Sequence, residues 1–237
     1  MRAIVLAAGR GSRLNEATDD KPKCLVKVRG TSLLDLQLAA LRAAGLNEIG
    51  ICTGYRREQL AALGMPEFHN ARWAETNMVS SLACAAAWLQ DGPCIVSYSD
   101  IFYDSSAVSA LMASDSDIAI TYDVNWRALW EERFDNPLDD AESFRLHADG
   151  TLAEIGNRAT SMDAIEGQYM GVLRFTPAGW AEVMRIRAGL SQAEQDRMHM
   201  TGTLQKILEA GRMPVHAVPY AGTWGEVDSL EDLAVYS

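Results

Sequence analysis

The chain has 237 residues, 48% of them apolar, with a formal net charge of −11 and four cysteines. That length fits one α/β domain, and no apolar run approaches the roughly 18 residues a membrane span needs. The acidic balance disfavours a nonspecific nucleic-acid binder.

The opening apolar run, Ala3 to Ala8, reads as a buried strand, and arginines follow it rather than a signal-peptide cleavage site. It delivers the chain into Ala7-Ala8-Gly9-Arg10-Gly11-Ser12. Small residues there let backbone N–H groups approach phosphate oxygens, and Arg13 and Lys23 add charge for a polyphosphate. Residues 1–30 hold seven Lys/Arg against three Asp/Glu, a basic start to an acidic chain that suits a small polyanion with a metal. A P-loop is excluded because no Gly-Lys pair occurs, and the dinucleotide fingerprint fails at Leu14, where its third glycine belongs. On the two glycines alone, a nucleotide loop and a plain strand-to-helix turn both stay open.

Next come a short run, Cys24 to Val28, a turn at Arg29-Gly30, and a helix capped by Thr31 or Ser32 that runs to about Ala44. Glu48–Thr53 reads as a strand, 56–63 as a helix, and Phe68 to Asn70 as a short strand or loop. Met78–Gln90 reads as one alanine-rich helix, Pro93–Ser99 as a strand ending at Asp100, 105–113 as a helix, and Asp117–Tyr122 as a strand. This βαβα succession predicts a mostly parallel sheet covered on both faces. Trp126 to Phe134 reads as a short helix with an aromatic stripe. Phe144–His147, Thr151–Ile155 and Gly167–Phe175 read as strands of an appended sheet. Pro177–Ala188 and Thr201–Ala210 read as helices, Leu190–Met198 as a mobile polar loop, and Val215–Val218 as a late strand. Cys24, Cys52, Cys84 and Cys94 lack C-x-x-C spacing and lie in or near apolar segments, which points to reduced thiols and a cytoplasmic protein.

Asp100 stands just past an apolar strand, where open α/β sheets bind ligands, and a carboxylate there can hold Mg²⁺ or cap the next helix. Glu226 and Asp228 alternate along an extended segment, so both point to one side and need a cation between them or solvent around them. The four histidines have no metal-ligand spacing, and no Ser-His-Asp or Cys-His arrangement stands out.

Leu6-Ala-Ala-Gly-x-Gly-x-Arg13 with Pro22-Lys23 resembles the signature of the sugar-phosphate nucleotidyltransferases. Further strings bring the likeness to the small cytidylyltransferases, which act in phosphocholine, phosphonate and capsule phosphoramidate chemistry. They are Glu75-Thr-Asn-Met-Val79, Ser97-Tyr-Ser-Asp-Ile101, Trp126-x-x-x-Trp130-x-x-Arg-Phe134 with Asn136 to Glu142, Glu166-Gly-Gln-Tyr-Met-Gly171 and Met200-Thr201. The resemblance implies an α/β, Rossmann-like, mostly parallel mixed sheet with helices on both faces, of the nucleotide-diphospho-sugar transferase type, with a small appended β-sheet. It implies a single domain, 1–237, with a nucleotide core over 1–122 and an acceptor part over 123–237.

The implied reaction is CMP transfer from CTP to a small phosphorylated or phosphonate acceptor, with release of pyrophosphate, in activation of a surface-polysaccharide modifier or a phosphonate. Asp100 and Asp228 are then expected to share Mg²⁺, with Glu226 as a third participant. Arg13 grips the leaving phosphates, and Lys23 stabilises the transferring phosphoryl group. Leu6, Ala7, Ala8, Gly9, Gly11, Asn77 and Ser81 line the nucleotide. Trp126, Trp130, Arg133, Arg158, Glu166 and Gln168 are the acceptor candidates, with Tyr169 and Trp224 beside them. Asn157 stands where relatives carry lysine, which leaves Arg158 as the acceptor cation. No nucleic acid or membrane partner is expected, and the aromatic stretch after Trp126 is compatible with a homodimer. The alternatives are a sugar-1-phosphate uridylyl- or thymidylyltransferase, a non-catalytic nucleotide sensor and, remotely, a dinucleotide-dependent oxidoreductase.

Overall fold

The computed structural model describes residues 1–236, with the side chain of Asn15 outside that description. Strand β1 (Arg2–Ala7) runs through the centre and leads into the glycine loop and a 3₁₀ segment, Ser12–Thr18. Strands β2 (Lys27–Val28) and β3 (Thr31–Ser32) form a hairpin around Arg29-Gly30. Both turn residues have positive φ, 49° and 84°, the geometry a two-residue hairpin needs. Helix α1 (Leu33–Ala43) starts where the Ser32 hydroxyl accepts the Asp35 N–H. There follow β4 (Ile49–Thr53), α2 (Arg57–Ala61), β5 (Glu67–His69), α3 (Met78–Ala83), α4 (Ala86–Asp91), β6 (Cys94–Tyr98), β7 (Ile101–Tyr103), α5 (Ser105–Met112) and β8 (Ile118–Asp123). The expected single helix over 78–90 is two, because the amides of Cys84 and Ala85 bond three residues back, to Ser81 and Leu82, and tighten the chain at the junction.

The second half supplies α6 (Trp126–Arg133), β9 (Glu142–Leu146), β10 (Leu152–Arg158), β11 (Gln168–Phe175), α7 (Pro177–Ala188), α8 (Gln192–Arg197), α9 (Met200–Ala210), β12 (His216–Tyr220), β13 (Trp224–Glu226) and α10 (Leu230–Val235). The main sheet has the order β12-β8-β11-β6-β1-β4-β5. All its pairings are parallel except those of β11, which runs antiparallel between β6 and β8. The expectation that Gly167–Phe175 belongs to an appended sheet is therefore corrected. Seven of the eight β11 residues, all but Tyr169, are buried, so this strand needs cover on both faces, and only the main sheet provides it. The appended sheet consists of β9 and β10. The expected loop over 190–198 contains α8, closed by a reciprocal capping box between Ser191 and Glu194.

Parallel register carries functional residues to one edge. Leu6 lies opposite both Cys52 and Tyr98, so the loops after β1, β4 and β6 leave the sheet together. The antiparallel pair β7–β13 then brings the C-terminal carboxylates to the same place, and Val227 N–H bonds the Asp100 carbonyl at 2.9 Å. A small cluster of Leu14, Val26, Val28, Leu33, Val227 and Tyr236 lies under this edge and joins the neighbour of Arg13 to the neighbour of Asp228. Leu14 is fully buried, so Leu14→Ala is expected to cost about 2–5 kcal/mol, measured by urea unfolding.

Candidate active site

Two adjoining cavities open at the carboxyl edge of the sheet. The first, about 310 Å³, is lined by Leu6, Ala8, Gly9, Gly11, Ser12 and Arg13 on one side and by Trp73, Thr76, Asn77, Met78 and Ser81 on the other. Lys23, Tyr98, Ser99, Asp100 and Asp228 close it. Of the seven expected nucleotide residues, Ala7 alone is not in the lining, because it is still inside β1 and buried. Gly11 has φ 72°, and a Cβ there would lie 2.7 Å from Lys23 Cδ, so glycine lets the loop fold over the lysine stem. Gly54 performs a similar service: its Cβ would strike the Ala8 carbonyl and Trp73. Asn77 caps α3 through Met78 N–H, and Ser81 Oγ accepts from Asn70 Nδ2 at 2.9 Å. Trp73 escaped the sequence reading, two positions before the quoted string beginning at Glu75, and Thr76 stood in that string without a site role.

Between the cavities lie Asp100, Glu226 and Asp228, each offering a carboxylate oxygen within 4.8 Å of the others. Asp100 Oδ1 is buried and has no hydrogen-bond partner. Lys23 Nζ donates to Asp100 Oδ2 at 2.9 Å and to Asp228 Oδ1. Arg13 meets Asp228 Oδ2 at 2.8 Å, with a side chain still 69% exposed toward solvent. Burial, then the charges of Asp228 and Asp100, push the Glu226 carboxyl up to about 8, against the pull of Arg133 and Lys23. Burial opposes the charge on Lys23, but Asp100 and Asp228 outweigh it and raise its pKa. Hard oxygens, a crowded negative charge and an orphaned carboxylate oxygen together fit a divalent cation such as Mg²⁺.

The second cavity, about 290 Å³, shares Arg13, Met78, Tyr98 and Asp228 with the first. Of the acceptor candidates, Trp130 and Gln168 line it, together with Tyr169 and Trp224. Asp140, Glu142, His199 and Thr201 also line it; His199 was missed, while Asp140, Glu142 and Thr201 lay in the strings Asn136 to Glu142 and Met200-Thr201 without a site role. The other four candidates are not in the lining of this cavity. Trp126 is 4% exposed and packs edge-on against Trp130, ring centroids 6.1 Å apart. Arg133 bonds Asp232 at 2.7 Å and Glu226 at 3.1 Å. The Glu166 carboxylate accepts the Leu146 N–H, and Arg158 is exposed at the end of β10. Gln168 is itself engaged: its amide donates to the Glu142 carbonyl and accepts the Glu142 N–H, so it clamps the start of β9.

Arg133 is a strut behind the site, its side chain 1% exposed and its guanidinium over the Trp130 ring at 5.1 Å. Burial raises the Asp232 carboxyl, but the Arg133 bond and charge and the amides of Asp228 and Ser229 bring it below its ordinary value. A depressed carboxylate contributes stability above its unfolded pKa of about 4 and loses it as pH falls through the lower folded value. Asp232→Asn should therefore melt well below wild type at pH 7, with the gap shrinking toward pH 3.

Residues 3–201 match the family description MobA-like NTP transferase domain. The chain is 35% identical to the CTP:phosphoglutamine cytidylyltransferase of Campylobacter jejuni subsp. jejuni serotype O:2, over 99% of this chain and 98% of that one. It is 40% identical to the choline-phosphate cytidylyltransferase of Streptococcus pneumoniae over 35% of this chain and 38% of that one. The solved inositol-1-phosphate CTP transferase from T. maritima superposes with a TM-score of 0.76 at 22% identity, over 99% of this chain and 93% of that one, which shows the shared fold. The family match over most of the chain, the full-length relative and the shared fold agree that this chain belongs to the MobA-like NTP transferase family and is a nucleotidyltransferase.

Proposed function

We propose that the protein transfers CMP from CTP to a small phosphorylated or phosphonate acceptor, with Mg²⁺ and release of pyrophosphate. The observation that carries this reading is the meeting of two cavities at one cluster, where Lys23 and Arg13 face Asp100, Glu226 and Asp228. The full-length relative named for CTP supports the choice of base.

In this reading the NTP lies in the first cavity and the acceptor in the second, so an acceptor oxygen faces the α-phosphorus and pyrophosphate leaves on the opposite side. The acceptor is already an anion, so the chain positions groups and neutralises charge rather than removing a proton. The loop from Ala8 to Ser12 offers backbone N–H groups to the phosphates. Arg13, exposed although it meets Asp228, holds the departing charge. Lys23, buried at the junction, faces the phosphoryl group under attack. Asp100 and Asp228, with Glu226, would hold Mg²⁺, which when bound supplies Lewis-acid neutralisation of phosphoryl oxygens.

Pyrophosphate release, assayed with Mg²⁺ and each of CTP, UTP, ATP, GTP and dTTP against pooled phosphorylated acceptors, tests the reading. Release with CTP alone supports it. Release with UTP or dTTP and a sugar 1-phosphate overturns the base and acceptor assignment, and silence with intact nucleotide binding favours a sensor.

A further inference from the structure

We propose that Asn70, a side chain outside the nucleotide cavity, sets the base preference by fixing the hydrogen-bond direction of two hydroxyls in the cavity wall, Ser81 and Thr76. The proposal rests on the CTP reading above and names the positioning residue that enforces it.

Asn70 follows β5 directly, and its backbone N–H bonds the Thr53 carbonyl at 2.8 Å. Its side chain is buried and does not line the cavity. The orientation of its amide is dictated by a group that can only donate: the Arg72 backbone N–H meets Asn70 Oδ1 at 3.0 Å. The NH₂ group therefore faces the other way. There it donates to Ser81 Oγ and to Thr76 Oγ1, both at 2.9 Å, which uses both of its protons.

The two hydroxyls are left with opposite capacities. Thr76 gives its proton to the Arg72 carbonyl at 2.9 Å, so toward a ligand it can only accept. Ser81 Oγ accepts from Asn70, and its own proton has no acceptor among the described residues. Ser81 is 4% exposed and lines the cavity, as Thr76 does. A buried hydroxyl with an unspent proton calls for an acceptor in the ligand. The wall thus offers one donor and one acceptor.

That pair distinguishes the pyrimidines. Cytosine presents an acceptor at ring nitrogen N3 and a donor at its 4-amino group, the complement of Ser81 and Thr76. Uracil presents an N–H at N3 and a carbonyl at position 4, the reverse. Against uracil, the Ser81 proton stays unpaired and Thr76 meets a second acceptor, each at a cost. Asn70 imposes this pattern without touching the base, because its NH₂ group makes both hydroxyls acceptors on their inner side.

The test measures kcat/KM for CTP and UTP in wild type, Asn70→Asp and Asn70→Ala, with Mg²⁺ and the acceptor that supports pyrophosphate release. Aspartate keeps an oxygen for the Arg72 N–H. Its second oxygen takes the Ser81 proton, which leaves that hydroxyl only lone pairs for the base. The CTP-to-UTP ratio is expected to fall about 10- to 100-fold in Asn70→Asp, the range for one buried polar group left unpaired. Asn70→Ala, which frees both hydroxyls to turn, should lower the ratio by less. Loss of folded protein lowers both activities alike and leaves the ratio unmoved. In a background of Ser81→Ala with Thr76→Val, Asn70→Asp should shift the ratio by no more than about twofold, the scatter of uncoupled changes. An unmoved ratio in both Asn70 variants, or an equal shift in the background lacking both hydroxyls, overturns the proposal. Calorimetric titration of wild type and Asn70→Asp with CTP and with UTP separates it from the reading beneath it. CTP-selective binding that Asn70→Asp abolishes, without turnover of any acceptor, would sustain the role of Asn70 and refute CMP transfer. CTP turnover with a binding preference that Asn70→Asp leaves intact would refute the role of Asn70 and sustain CMP transfer.

Discussion

Asp100→Asn should lower kcat by about 10³-fold or more while the protein stays folded. The loss follows from what the carboxylate faces. Asp100 Oδ1 is buried without a partner, and Oδ2 is one of two anionic oxygens that Lys23 touches. The fold survives because Asp100 holds Val227 through its backbone carbonyl, which the substitution leaves in place. Lys23 keeps Asp228 as its partner. Steady-state rates read the loss of turnover, and urea unfolding reads the fold. A variant retaining within tenfold of wild-type kcat would remove Asp100 from the catalytic cluster.

Lys23→Met should have a double effect: kcat falls by about 10²- to 10³-fold, and the free protein binds Mn²⁺ about tenfold more tightly. The opposite signs have one cause. Lys23 Nζ is hydrogen-bonded to Asp100 Oδ2 and Asp228 Oδ1, two oxygens of the cluster that would hold the cation. A cation entering without nucleotide must displace the ammonium, whereas one arriving with a triphosphate offers Lys23 a new anion. Removing the ammonium leaves crowded carboxylates, so the variant should melt lower without metal and recover when Mg²⁺ is added, since a ligand that binds the native state stabilises it. Weaker Mn²⁺ binding in Lys23→Met would show that the lysine and the cation do not compete.

The residues of the glycine loop and its lysine were the most legible in the sequence. Gly11 and Lys23 sit twelve positions apart in one loop, and their packing follows from local chain geometry. Asp100 was legible as the first polar residue after a buried strand. The second cavity was not, because distant segments assemble it. Glu142 is clamped by Gln168, 26 residues away, and Arg133 pairs with Asp232, 99 residues away. The family resemblance made Arg133 an acceptor-pocket candidate and Arg158, beside Asn157, the acceptor cation. Burial converts the first into a strut, and the end of β10 leaves the second exposed. The place of β11 was illegible for another reason: an apolar strand reads alike whether it joins the main sheet or an appended one. The α8 helix did carry a signal, the Ser191–Glu194 spacing of a capping box, which the polarity of the segment concealed.

The most direct measurement follows label from CTP carrying ³²P at either the α or the γ position, with the acceptor that supports pyrophosphate release from the pool. Attack at the α-phosphorus between the two cavities places α-label in the acceptor product and γ-label in pyrophosphate. Recovery of γ-label in the acceptor product, or in inorganic phosphate with no labelled product, would instead mean phosphoryl transfer or hydrolysis, and would contradict nucleotidyl transfer at the Asp100–Asp228 cluster.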